Sequence, residues 1–180
     1  MIRTATGAAA IAAATAVYAL FQTAPAAAAE KAPRVAGLIE NAILYPGDIR
    51  LKAKLDTGAR TSSLDVDSYR IFTRNGRDMV EFVVPRDDDG HVTVTRPLVR
   101  VSRVKERGGS DRTVMRPVVL MTVCIGDVAR RTEVNLQDRS NFLYPLLVGR
   151  RFLIGAFVVD PGKRHLLTPD CPAAAKKAGR

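Results

Sequence analysis

Asp56-Thr57-Gly58-Ala59 puts a carboxylate at the end of an alternating apolar and basic run, where the chain must turn. Thr57 can hydrogen-bond locally and Gly58 permits close backbone approach, so the acid can face a cleft with little steric cover. Peptide hydrolysis uses such acids in pairs. Two carboxyls sharing a proton separate their ionisations, and one then acts as base toward water while the other acts as acid. The same four residues equally make an Asx-turn that ends a strand. Only one Asp-Thr-Gly occurs, so a paired-acid mechanism requires two copies about a twofold axis, each contributing Asp56. Asp65, Asp67, Asp78, Asp138 and Asp160 are the in-chain alternatives, and their local patterns read as solvated or turn-capping acids.

Other chemistries find less support. His91 and His165 are the only histidines, they are far apart, and no H-E-x-x-H is present. No G-x-x-x-x-G-K-[ST] loop offers a phosphate cradle. The expectation is therefore no metal and no cofactor.

The elements that must position Asp56 read as strands and turns. Ile49 to Leu55 alternates with period two, the pattern of a strand with one buried face. Tyr69 to Phe72 and Met79 to Val84 flank Asn75-Gly76, a hairpin-turn pair. Asp87-Asp88-Asp89-Gly90 marks another turn, followed by His91 to Thr95 and Leu98 to Val104. Val118 to Ile125 and Thr132 to Leu136 flank the Gly126-Asp127 turn. Leu146-Leu147-Val148 is a continuous apolar run before Gly149, as in a strand covered on both faces. Arg150 to Ile154 reads as a short helix, and Phe157 to Val159 as a last strand. Many short strands with frequent turns predict an all-β barrel or sandwich.

The ends set the compartment. Arg3, an apolar Ala-rich run from Ala8 to Phe21, and small residues at Ala27 and Ala29 form a cleavable secretory signal over 1–29. The expected domain runs over 30–171, with a disordered tail over 172–180. Periplasmic or secreted localisation follows, with no stable membrane insertion after cleavage and no nucleic acid as partner. Cys124 and Cys171 then enter an oxidising compartment. They could pair, or Cys124 could be a buried strand thiol and Cys171 an unrelated exposed one; geometry decides. A formal charge of +10 over 180 residues points to an anionic partner. Arg96, Arg100, Arg103, Lys105, Arg107, Arg112 and Arg116 crowd the middle of the chain. They form either a charge-protected strand edge or a basic rim steering an acidic peptide.

Lys52 to Leu64, Arg116-Pro117-Val118-Val119, Asp138-Arg139-Ser140 and Tyr144 to Leu153 together are more specific than Asp-Thr-Gly alone. Across roughly residues 36–165 they resemble the retropepsin-like aspartic peptidases. The likeness is closest to a bacterial branch labelled "ATP-dependent zinc protease" and associated with ATP-grasp glutamate ligases. The resemblance implies a retropepsin-like closed barrel with one short C-terminal helix. Asp56 would be the catalytic acid, with Thr57, Gly58 and Ala59 as its loop. Leu147, Val148 and Gly149 would be the segment packed beneath that loop. Gly108, Gly109 and Ser110 lie where retropepsins carry a hairpin flap, and they equally suit a plain solvent hairpin. Arg60-Thr61-Ser62 after the motif departs from the acidic residues usual in viral members, and Arg60 either neighbours the acid or points to solvent. The zinc and ATP in the branch's label have no counterpart among these residues.

Two functions are expected. One is an exported aspartic endopeptidase, a homodimer whose paired Asp56 carboxylates activate water on a peptide or protein substrate, acidic in character. The other is a non-catalytic module of the same fold that binds an anionic peptide or cell-envelope component.

Overall fold

A computed structural model of the chain describes residues 32–86, 90–105 and 113–172. The expected signal over 1–29, the Asp87-Asp88-Asp89 turn, the flap candidate Gly108, Gly109 and Ser110, and residues 173–180 lie outside the described residues. The strands in chain order are β1 (Arg34–Tyr45), β2 (Ile49–Asp56), β3 (Ser62–Asp65), β4 (Ser68–Arg74) and β5 (Arg77–Pro85). They continue with β6 (His91–Pro97), β7 (Arg100–Lys105), β8 (Thr113–Ile125), β9 (Val128–Gln137) and β10 (Leu146–Gly149). A one-turn helix α1 (Arg150–Leu153) then leads to β11 (Phe157–Arg164). The all-β class and the short helix after the apolar run agree with expectation.

Eight strands form one sheet in the order β11-β1-β2-β10-β3-β9-β8-β7, and β1 also pairs with β8. The strands from β1 round to β8 therefore close into a ring. β4, β5 and β6 form a separate meander. On β2, Ile49, Leu51, Ala53 and Leu55 point into the core while Arg50, Lys52 and Lys54 face out. On the meander, Asn75 and Gly76 both take positive φ, 51° and 70°, as a two-residue hairpin turn with the sheet's twist requires.

Two strands have no counterpart in the period-two reading. β1 pairs with β2, β8 and β11 in turn, so it is buried over most of its length and shows no alternation. β3 is four residues long and begins with two serines, so apolar content does not mark it. The last strand also runs further than the apolar residues predict. β11 continues through Asp160, Pro161 and Gly162 because, among the described residues, it is an edge strand paired in parallel with β1 alone. The close approach of β11 needs Gly37, where a Cβ would stand 2.6 Å from the Lys163 carbonyl oxygen.

The ring interior is filled by Leu44, Ile49, Leu55, Leu64, Met121, Leu136, Leu146 and Phe152, all fully buried. Phe152 of α1 stacks on Phe157 of β11 at 5.9 Å between ring centres, which ties the helix to the edge strand. Cys124 and Cys171 are joined in a disulfide, which resolves the alternatives left open above. Among the described residues no helix is long and apolar enough to cross a membrane.

Candidate active site

Asp56 is the last residue of β2 and sits half-buried at the rim of the ring. Its Oδ1 accepts hydrogen bonds from the backbone N–H of Gly58 at 2.9 Å and of Ala59 at 3.2 Å. Among the described residues Oδ2 makes no hydrogen bond, so one oxygen orients the carboxylate and the other remains for a reactant. Both donors come from the loop after Asp56. That loop and the carboxylate therefore hold each other in place.

The loop itself is pinned from below. β10 runs parallel to β2 with Leu147 opposite Lys54, Val148 opposite Leu55 and Gly149 opposite Asp56. Leaving β10, the Arg150 N–H donates to the Ala59 carbonyl at 2.8 Å, and the Arg150 side chain donates to the Gly58 carbonyl at 3.0 Å. The Gly149 N–H donates to Ser62 Oγ at 3.1 Å. A Cβ on Gly149 would lie 2.8 Å from the Thr61 carbonyl carbon and 3.0 Å from the Ala59 oxygen, so only glycine fits. The structure thus brings together all seven residues singled out from the two motifs. It adds Ser62 and Arg150, whose roles no spacing rule announces.

A polar layer behind β3 completes the support. Ser63 Oγ donates to Asn135 Oδ1 at 3.0 Å, Asn135 Nδ2 donates to the Ser62 carbonyl at 2.9 Å, and Gln137 Nε2 donates to Ser63 Oγ at 2.6 Å. Ser62 and Ser63 are buried, so these bonds satisfy groups that water does not reach.

Beside Asp56 lies a shallow depression lined by Leu38, Lys54, Leu55, Thr57, Val159 and Pro161. Its walls are largely apolar, and among the described residues one cation and no second carboxylate line it. The other acids are engaged elsewhere. Asp65 accepts from the Arg139 N–H, Asp67 pairs with His91 at 3.1 Å, and Asp78 accepts from Thr73. Asp138 and Asp160 accept from backbone N–H groups two residues on. Asp67, Asp78, Asp138 and Asp160 thus have the turn-capping and surface roles read from their local patterns, whereas half-buried Asp65 ties β3 to the Arg139 backbone far along the chain. Arg60 is exposed and makes no ion pair among the described residues.

The basic cluster is less free than its sequence suggests. Arg100 donates to Glu133 at 2.7 Å, and Arg151 reaches the same carboxylate at 2.5 Å. Arg96 is buried, and that burial lowers its pKa, with the Arg131 charge adding to the effect. Arg139 is 5% exposed, donates through Nε to the Tyr144 carbonyl and lies over the Phe142 ring at 4.4 Å. Burial lowers its pKa, while the charges of Asp65 and Asp56 act in the opposite direction.

The sequence matches the family described as "Retropepsin-like aspartic endopeptidase RimB" over residues 35–169. The chain belongs to this RimB-like family. Its curated relatives carry a different title. It is 30% identical over 118 residues to a "Probable alpha-L-glutamate ligase" of Parasynechococcus marenigrum (strain WH8102), covering 65% of this chain and 25% of that protein. It is 28% identical to a protein of the same title in Shewanella pealeana, covering 65% of this chain and 26% of that protein. The chain thus spans about a quarter of the length of the curated relatives it matches. Among solved structures, a Legionella pneumophila protein of unknown function (DUF785) superposes with a TM-score of 0.64 at 34% identity. That match covers 74% of this chain and 97% of the Legionella protein.

Proposed function

We propose that this RimB-like chain is an exported aspartic endopeptidase acting as a homodimer. The observation that carries the reading is Asp56 itself. Its carboxylate is held by Oδ1 at the rim of a depression, its Oδ2 makes no hydrogen bond among the described residues, and its loop is clamped by β10 and Arg150. In the dimer two Asp56 carboxyls share one proton. The ionised one takes a proton from water, which adds to the peptide carbonyl, and the protonated one donates to the developing gem-diol oxygen. Among the described residues no second acid lines the depression, which supports a partner carboxylate supplied by a second copy. The formal charge of +10 and Lys54 in the depression support an acidic peptide as substrate. The Cys124–Cys171 disulfide supports a periplasmic or secreted location.

The test is cleavage of a peptide library by wild type and by Asp56→Asn. The wild type cuts and the variant does not, and undiminished cleavage by the variant overturns the reading. One observation favours the second reading, a binding module without catalysis: among the described residues a single acid lines the depression. That module would bind an anionic peptide in a salt-sensitive way, would retain binding in Asp56→Asn, and would cut nothing.

A further inference from the structure

Glu40 is a fully buried carboxylate that the site chemistry does not use. It lies on β1, two residues from Leu38 in the wall of the Asp56 depression. Its Oε1 accepts from the Gly37 N–H at 2.6 Å and the Leu166 N–H at 3.1 Å, and its Oε2 accepts from the Leu167 N–H at 3.0 Å. Two of these three donors belong to the segment that follows β11. This strap, residues 165–172, begins with the His165 N–H donating to the Ile39 carbonyl at 2.7 Å. It packs Leu167 against the core beside Gly126, and the Asp170 N–H donates to the Gly126 carbonyl at 2.7 Å. It ends at Cys171, bonded to Cys124 of β8. A buried carboxylate is tolerated only while its donors stay in place, so a strap that leaves takes two of three with it. Water must then enter at β1. β11, which supplies Val159 and Pro161 to the depression and among the described residues pairs with β1 alone, loses the anchor at its end.

We propose that the Cys124–Cys171 disulfide is a redox-operated latch that holds the strap on Glu40 and thereby keeps the β11 wall of the Asp56 depression in place. A dithiol opens it. One thiolate attacks a cysteine sulfur and breaks the Sγ–Sγ bond, giving a mixed disulfide. The second thiolate displaces that cysteine, so Cys124 and Cys171 end as thiols and the dithiol ends as its own disulfide. The chain is latched in an oxidising compartment and unlatched in a reducing one. Before export, the depression would lack a fixed wall. This last consequence rests on the peptidase reading; the latch does not.

Hydrogen exchange read by mass spectrometry on the oxidised protein, and on the same protein reduced by a dithiol, tests the latch. Complete reduction is verified by the mass of alkylated thiols. On reduction, exchange of the Gly37, Leu166 and Leu167 amides should speed up by a factor about tenfold or more larger than that of the β4-β5-β6 meander, whose change reports the fall in global stability. Unchanged exchange of the strap after complete reduction overturns the proposal, and so does an equal loss of protection across the whole chain. The double variant Cys124→Ser/Cys171→Ser in oxidising buffer should reproduce the reduced pattern. A double variant as protected as oxidised wild type overturns the latch. Reduction of the folded wild type decides the matter if the variant does not fold. If peptide cleavage is observed, it should fall on reduction and return on reoxidation. The exchange result stands whether or not any peptide is cut.

Discussion

At the scale of residues, the site is a carboxylate whose orientation is set by backbone N–H groups rather than by other side chains. Gly58 and Ala59 donate to one oxygen, and an asparagine at position 56 would keep that oxygen as an acceptor. Asp56→Asn should therefore keep the fold, with a melting temperature within a few degrees of wild type, while removing any cleavage that depends on ionisation. Gly149 is the opposite case. A methyl group there meets the backbone of Thr61 and Ala59 below 3.1 Å, and backbone cannot swing aside as a flexible side chain would. Gly149→Ala should destabilise by about 1–3 kcal/mol, read as a fall in the denaturation midpoint, and should disturb the Asp56 loop. The positions of Asp56 and Gly149 were both legible, because an Asp-Thr-Gly turn ends a strand and a close backbone approach at position 149 admits only glycine. Ser62 and Arg150 were not, because serine and arginine serve equally well on any surface. Only the fold shows that Ser62 Oγ meets the Gly149 N–H and that Arg150 meets the Gly58 carbonyl.

At the scale of elements, Glu133 of β9 joins parts that the chain order separates. Its carboxylate holds Arg100 at the root of the β7–β8 ribbon and Arg151 in α1, directly after the Asp56-supporting strand. The hydrogen bond from Arg100 is the largest cause of a pKa below the ordinary glutamate value of 4.5, with the Arg151 charge acting the same way. A carboxylate with a depressed folded-state pKa contributes stability above its unfolded pKa and loses it as pH falls through the folded value. Glu133→Gln should thus be less stable than wild type at pH 7 by roughly 1 kcal/mol, and the gap should close below about pH 4. Chemical denaturation at the two pH values measures this, and a gap that does not change with pH would contradict it. The period-two strands were readable because each has one wet face. β1 was not, because three neighbouring strands cover it. The length of β11 was hidden for another reason: its outer half is polar, and parallel pairing with β1 holds it in the sheet.

At the scale of the whole molecule, a ring of strands gives Asp56 its floor, and a covalent link ties β8 of that ring to the strap that follows β11. The disulfide spans 47 residues of chain, so its reduction should lower stability by about 4 kcal/mol by the loop-entropy argument. Denaturation of the oxidised and reduced protein side by side checks that figure. All-β architecture, the short helix and the two packed motifs were within reach of the sequence. The cysteine pairing was not, since Cys124 and Cys171 meet only once β11 has carried the chain back past β1. The proposed dimer belongs to this scale as well, for a single ring offers a single Asp56 at its depression. Subunit mixing tests the central claim most directly. Wild type and Asp56→Asn are combined in equal amounts under conditions that exchange subunits, and cleavage is compared with wild type alone at the same total concentration. If both carboxylates of a pair are needed, activity falls to about one quarter, the share of pairs in which both members are wild type. A fall to about one half would mean that each chain works alone, and would contradict the account.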